Sequence, residues 1–200
     1  MATPTPVFFF DFTDPGSYLA SHLLDETGVA DRCEWHAFEL RPPPRSLVDP
    51  ADPDWRSYHA LTAASARERG LPMNAPSFVP WTHKAHELTE FARGEDCYHA
   101  VRRALFEAHF VARRDIGRID LLVEIAAAAG LDRSGAKAAL DVDRFAATVR
   151  RHRELAKNRN VAEVPAVVHG TRRIEGLKSA ARVSEWTRWV GVELFADKEE

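Results

Sequence analysis

Cysteine is nearly missing from this chain: 2 in 200 residues, Cys33 and Cys97, with no Cys-x-x-Cys and no Cys/His spacing of the kind that holds zinc. That excludes a disulfide framework and a structural zinc knot, and no metal is expected. Cys33 lies in a strand-like run and reads as a small core residue, whereas Cys97, at the start of a helical segment, stays open as a reactive thiol. An excess of one charge is missing too. The 27 Lys and Arg against 30 Asp and Glu leave a net charge of −3, with the signs interleaved through 150–154, so no nucleic-acid partner is expected. Long apolar runs are absent near the start: Val7 to Phe12 counts six residues including Asp11, too short for a membrane span or a signal peptide. No membrane association and a cytoplasmic location are the expectations. No repeat or low-complexity tract interrupts the chain.

What is present has a clear order. Val7 to Phe12, rich in aromatics and bounded by prolines and by Asp14-Pro15-Gly16, reads as a buried strand. Ser17 to Thr27 follows as a helix closed by Gly28. Cys33 to Leu40 alternates apolar and polar side chains, the pattern of a strand with one buried face. Pro42-Pro43-Pro44 and 49–53 then force an irregular loop. From Trp55 to Arg153 the pattern is helical, with expected breaks at Gly70, Pro76 to Pro80, Gly94, Gly117, Gly130 and Gly135. Leu105, Phe106, His109 and Phe110 share one helical face, as do Ile119, Leu122, Val123 and Ala126. Val164 to His169, a turn at 170–172 and Arg173-Ile174 read as a hairpin, and Leu177 to Val190 as a last amphipathic helix. The charged end, 197–200, reads as frayed.

The expected fold class is therefore α/β: one mixed sheet flanked by helices, with a large all-helical insertion between the second and third strands. Residues 1–45 and 160–200 would form the discontinuous sheet domain, and 46–159 the helical insertion.

Several short motifs carry a family likeness. They are 10–20 (FDFTDPGSYLA), Ala85-His86-Glu87-Leu88, 104–110 (ALFEAHF) with Asp115-Ile116, Val164-Pro165-Ala166-Val167-Val168, and Glu175-Gly176. Together they span nearly the whole chain, and in their order and spacing it resembles the DsbA-like branch of the thioredoxin superfamily. Within that branch it is most similar to the cytoplasmic group of DsbA-like oxidoreductases, 2-hydroxychromene-2-carboxylate isomerases and kappa-class glutathione transferases. The resemblance implies a thioredoxin-like sheet and an active loop at 14–17. Redox members carry Cys-Pro-x-Cys in that loop, and the isomerases and transferases Ser-Pro-x-Ser. Asp14-Pro15-Gly16-Ser17 departs from both. Dithiol exchange needs an attacking and a resolving sulfur, and neither is here.

The residue readings then divide. Asp14 suits a general base acting on a thiol or a carbon acid, and Ser17 a hydrogen-bond donor, so these two are the candidate catalytic residues. Asp is equally a preferred helix N-cap, Pro15 a preferred first helical residue, and a first-turn hydroxyl a local cap. The resemblance implies a cis Pro165, with the main chain of Val164 pairing an extended thiol ligand as an added strand; an ordinary trans proline opening a strand is the plain alternative. It also implies that Gly176, Lys178 and Ser179 stand where glutathione-binding relatives hold a carboxylate, although the match is partial. Pro15 and His86 complete the candidate binding set, His86 being readable also as a packed core imidazole.

Glutathione is thus the candidate cofactor, and a small aromatic or thiol-bearing molecule the candidate substrate, for a thiol-dependent isomerase or transferase. Two other readings stay open: a non-catalytic peptide or small-ligand module, and a thiol-disulfide oxidoreductase by family alone. A homodimer is the one protein partner the resemblance implies.

Overall fold

The computed structural model describes residues 4–190. Strand β1 (Val7–Phe10) leads into α1 (Pro15–Glu26), and β2 (Glu34–Ala37) returns parallel to β1, with Phe8 opposite Trp35. Six helices follow: α2 (Pro53–Arg67), α3 (His83–Arg93), α4 (Tyr98–Phe110), α5 (Ile119–Ala128), α6 (Arg133–Asp141) and α7 (Ala146–Asn158). The hairpin of β3 (Ala166–His169) and β4 (Arg172–Glu175) and the helix α8 (Ala180–Arg188) complete the order. The sheet runs β2-β1-β3-β4, with β3 antiparallel to both β1 and β4. This is the expected mixed sheet, thioredoxin-like, with its helices inserted between the second and third strands.

β1 sits second from one edge because both of its faces are wanted. Phe8 and Phe10 point into the larger core with Trp35, Phe12, Phe106 and Trp186. Val7 and Phe9 point the other way, against Ala156, Val161 and Val168. A strand covered on both faces reads as an unbroken apolar run instead of alternating, which is why 7–10 was legible. Each fully buried Phe contributes about 1.5–3 kcal/mol.

Arg102 ties the helical block to the sheet's first helix. Its guanidinium is fully buried, donates to both oxygens of Asp25 at 2.7 and 2.9 Å and to the Ser21 hydroxyl, and lies 4.1 Å from the centre of the Trp35 ring. The α4 side chains Leu105, Phe106, His109 and Phe110 are all buried, as are Leu122, Val123 and Ala126 of α5.

Element boundaries differ from the sequence reading where polar side chains intervene. β1 stops at Phe10 because Asp11 turns the chain: its carbonyl accepts from Asp14 N–H at 3.2 Å and its carboxylate from Leu40 N–H at 2.7 Å. Past Ala37 the Phe38 N–H still donates to Phe10 C=O at 2.8 Å, and the Leu40–Asp11 bond takes over where the ladder ends. Gly135 does not break the chain but lies in the first turn of α6, where Asp132 caps its N–H. The last helix begins three residues after Leu177, at Ala180, capped by Ser179. The charged segment 197–200 lies outside the described residues. Among the described residues no helix is long and apolar enough to cross a membrane.

Candidate functional site

Asp14 caps α1. Its Oδ2 accepts from Ser17 N–H at 2.6 Å and from the Ser17 hydroxyl at 2.7 Å. The other oxygen, Oδ1, accepts from the Tyr58 hydroxyl of α2 at 3.0 Å. Three donors stabilise an ionised carboxylate, yet Asp14 is only 2% exposed. Burial outweighs the donors and raises its pKa from 3.8 to about 7, Asp11 adding a small repulsion. The group therefore changes protonation near neutrality, where proton transfer in either direction is easiest. Tyr58 is pushed up in turn, by its own burial and by the charge of Asp14.

Ser17 is fully buried, and its hydroxyl is committed to Asp14 while accepting from Asp11 N–H at 3.3 Å. It orients the carboxylate and faces no open space. Gly16 explains how Tyr58 reaches so far in. A Cβ there would overlap the Tyr58 hydroxyl and stand 3.0 Å from Pro165 Cδ and 3.2 Å from Leu177 Cβ. The segment 14–17, α2 and the Pro165 turn thus meet over one residue without a side chain.

Asp14 and Tyr58 open onto a cleft of about 410 Å³. Thr13, Pro15, Val164 and Lys178 line it, together with Arg41, Arg45, Trp55 and Val79 from the loops and α2, Arg153 of α7, and Glu163. The Val164–Pro165 peptide is cis. Val164 N–H and C=O make no hydrogen bond among the described residues. Four cations face two carboxyls here, so the cleft favours an anion. Arg153 donates to Glu39 C=O at 2.6 Å and Lys178 pairs with Glu163, whereas Arg41 and Arg45 are exposed and form no ion pair among the described residues.

The predicted residues therefore separate. Asp14, Pro15, Val164 and Lys178 share the cleft. Pro165 and Gly176 back it, joined by a Gly176 N–H to Pro165 C=O bond at 2.8 Å. Ser179 caps α8, its hydroxyl accepting from Arg182 N–H at 3.2 Å. His86 stands apart: it is 1% exposed, packed against Phe12 at 4.8 Å between ring centres, and its Nε2 lies 3.6 Å from Asp11 Oδ1. Cys33 is buried, its thiol pushed up to about 12 by that burial. Among the described residues no group of three or more His, Cys, Asp or Glu could hold a metal ion.

Sequence reasoning missed Tyr58, Arg41, Arg45 and Arg153. The one signal for Tyr58 was the aromatic pair Trp55 and Tyr58, one turn apart in the polar first half of α2.

Known proteins place the chain. The uncharacterized protein YwbO of Bacillus subtilis is 28% identical over 175 residues, covering 84% of this chain and 88% of YwbO. Among solved structures, a probable DsbA oxidoreductase from Streptomyces coelicolor aligns with a TM-score of 0.73 at 19% identity, over 92% of this chain and 88% of that one. A 2-hydroxychromene-2-carboxylate isomerase aligns at 0.66 and 19%, over 86% and 88%. The cytosolic disulfide reductase DsbM of Pseudomonas aeruginosa, solved with GSH, aligns at 0.67 and 17%, over 92% and 96%. At such identities these structures establish the fold alone. The sequence itself matches the DSBA-like thioredoxin domain over residues 6–185, and the chain belongs to that family.

Proposed function

We propose that this protein is a glutathione-dependent isomerase or transferase acting on a small aromatic acid, with Asp14 as the proton acceptor of the site. One observation carries the reading: a buried carboxyl with a pKa of about 7 occupies the leading active-loop position at the wall of a cationic cleft. Two family neighbours lend their chemistry to it, one an isomerase named for an aromatic carboxylate and one solved with GSH.

The residues fit glutathione. The unpaired main chain of Val164 offers one donor and one acceptor to an extended peptide, and Arg41 and Arg45 offer charge to its carboxylates. When bound, glutathione supplies the thiol that the chain itself lacks. Asp14 receives a proton at Oδ1 above its pKa and returns it below. Ser17 is a positioning residue that fixes Oδ2. The arginines hold an acidic substrate in the cleft, where the apolar faces of Trp55 and Val79 exclude water from an aromatic ring.

Calorimetric titration with reduced glutathione tests the first half. Turnover of 2-hydroxychromene-2-carboxylate and glutathione conjugation of an activated aryl chloride test the second. Binding together with turnover that rises with pH through about 7, and that drops on the order of 100-fold in Asp14→Asn, supports the reading. No binding and no turnover overturns it.

A binding module without catalysis is the second reading, favoured by the 2% exposure of Asp14. It predicts that Asp14→Ala and Ser17→Ala leave ligand affinity unchanged and that no rate is measurable in any variant.

A further inference from the structure

We propose that Tyr58 is the catalytic residue that touches the substrate, and that its phenol relays the proton between substrate and Asp14. The inference rests on the functional reading above and adds the group that meets the reacting atom. Its observations are independent of that reading. Asp14 lies at the wall of the cleft, yet its carboxyl is almost wholly covered. Each oxygen is already engaged: Oδ2 by two donors from Ser17, Oδ1 by Tyr58. Oδ1 is held by the Tyr58 hydroxyl at 3.0 Å, and Tyr58 lines the same cleft as Asp14.

A phenol suits this place. With its hydrogen given to Asp14 Oδ1 and one lone pair turned toward the Gly16 N–H, its oxygen keeps a second lone pair for an incoming X–H group. In one step the X–H bond breaks and its proton binds Tyr58 Oη. The original Oη–H bond breaks as Oδ1–H forms, and the electron pair of X–H stays on X. The phenol is regenerated, the negative charge has moved from Asp14 to X, and no oxidant or other reactant is consumed. The reverse step returns the proton. Because the phenol is never left as a phenolate, its strongly raised pKa is no obstacle. Gly16 makes the arrangement possible, since any Cβ there would displace the hydroxyl.

Charged groups approach this pair from several elements. Asp11 follows β1 and Glu163 precedes β3, and the cleft they share is lined also by Arg41 and Arg45 of the proline-rich loop, Arg153 of α7 and Lys178 ahead of α8.

Labelling with a water-soluble carbodiimide and an amine, read by peptide mass spectrometry, tests the geometry with no substrate present. At pH 6 Asp14 should be labelled at least tenfold more slowly than the exposed Asp141 in wild type and in Tyr58→Phe, and at a comparable rate in Tyr58→Ala. Asp14 labelled as fast as Asp141 in wild type overturns the relay, because the carboxyl is then reached directly. Turnover supplies the second arm. Tyr58→Phe should retain its affinity for reduced glutathione within twofold, lose 100-fold or more in kcat, and move the pH midpoint upward, since a donor to the carboxylate is gone. Unchanged kcat in Tyr58→Phe overturns the relay, as does tighter glutathione binding with faster turnover in Tyr58→Ala, which would make Tyr58 a plug. A wild type that neither binds glutathione nor turns over counts against the functional reading, while the labelling arm still decides whether the phenol covers Asp14.

Discussion

The Tyr58 hydroxyl occupies the space that a side chain on Gly16 would need. Gly16→Ala should therefore unseat Tyr58 while the helix itself gains about 0.5–1 kcal/mol from the better helix former. Losing a hydrogen bond to a buried carboxyl costs on the order of 1–3 kcal/mol, and the new Cβ also crowds Pro165 and Leu177, so urea denaturation at pH 7 should show a net loss of at least about 1 kcal/mol. The specific sign is elsewhere. With one donor removed, the Asp14 carboxyl resonance in carbon-13 spectra should titrate above its wild-type midpoint. An unmoved midpoint would mean that the phenol and the carboxyl are not coupled.

Asp14 also writes a pH dependence into stability. Its folded pKa of about 7 lies above the ordinary aspartate value of 3.8, so between these values the folded state holds a proton that the unfolded state has released. Stability from this group is fully present below about 4 and is lost as pH rises to about 7. The span corresponds to on the order of 4 kcal/mol. His109 and His152 act in the opposite sense: burial depresses them to about 4 and about 3, so their contribution is present above pH 6.5 and lost on acidification. Wild type therefore shows partial cancellation. Asp14→Asn, which keeps an adequate helix cap, should unmask the histidines. Its stability relative to wild type should climb steadily from pH 4 to pH 7 in denaturant melts, and a flat difference would count against a raised Asp14.

The sheet was legible for a physical reason that the site did not share. Phe8, Phe9 and Phe10 are buried on both faces of one strand, and apolar continuity of that kind survives in a linear pattern. Asp14 and Ser17 were legible because a cap is a local event, three residues long. Tyr58 lies 44 positions from Asp14, and their contact depends on where the proline-rich loop returns α2, which no local periodicity encodes. Arg41 and Arg45 sit on that same loop. His86 shows the converse: a motif position drew attention to it, but the apolar neighbours Phe10 and Phe12 hold it in the core, beside Asp11.

Arg102 is the point where the helical block most depends on charge. Removing one member of a buried pair leaves the other uncompensated, typically at 3–5 kcal/mol. Arg102→Ala should lose about that much, since Asp25, Ser21 and the Trp35 face all lose their partner. Arg103→Ala is the control. It reaches the same Asp25 at 3.4 Å from an exposed position, and should change stability by less than about 1 kcal/mol.

Restoring the sulfurs tests whether the scaffold still supports redox chemistry. The leading position caps α1, where free N–H groups and the helix dipole stabilise a thiolate. The trailing position is one turn further in. Asp14→Cys combined with Ser17→Cys should therefore accelerate the dithiothreitol-driven reduction of insulin, whereas wild type and Ser17→Cys alone should not, because exchange needs both an attacking and a resolving thiol. Burial and the overlying Tyr58 both work against the thiolate, so adding Tyr58→Phe, which leaves the ring in place, should help less than adding Tyr58→Ala, which opens the site. Acceleration by wild type that disappears in Cys97→Ser would assign redox activity to a cysteine outside 14–17, and the departure of that segment from the family pattern would then have no bearing on it.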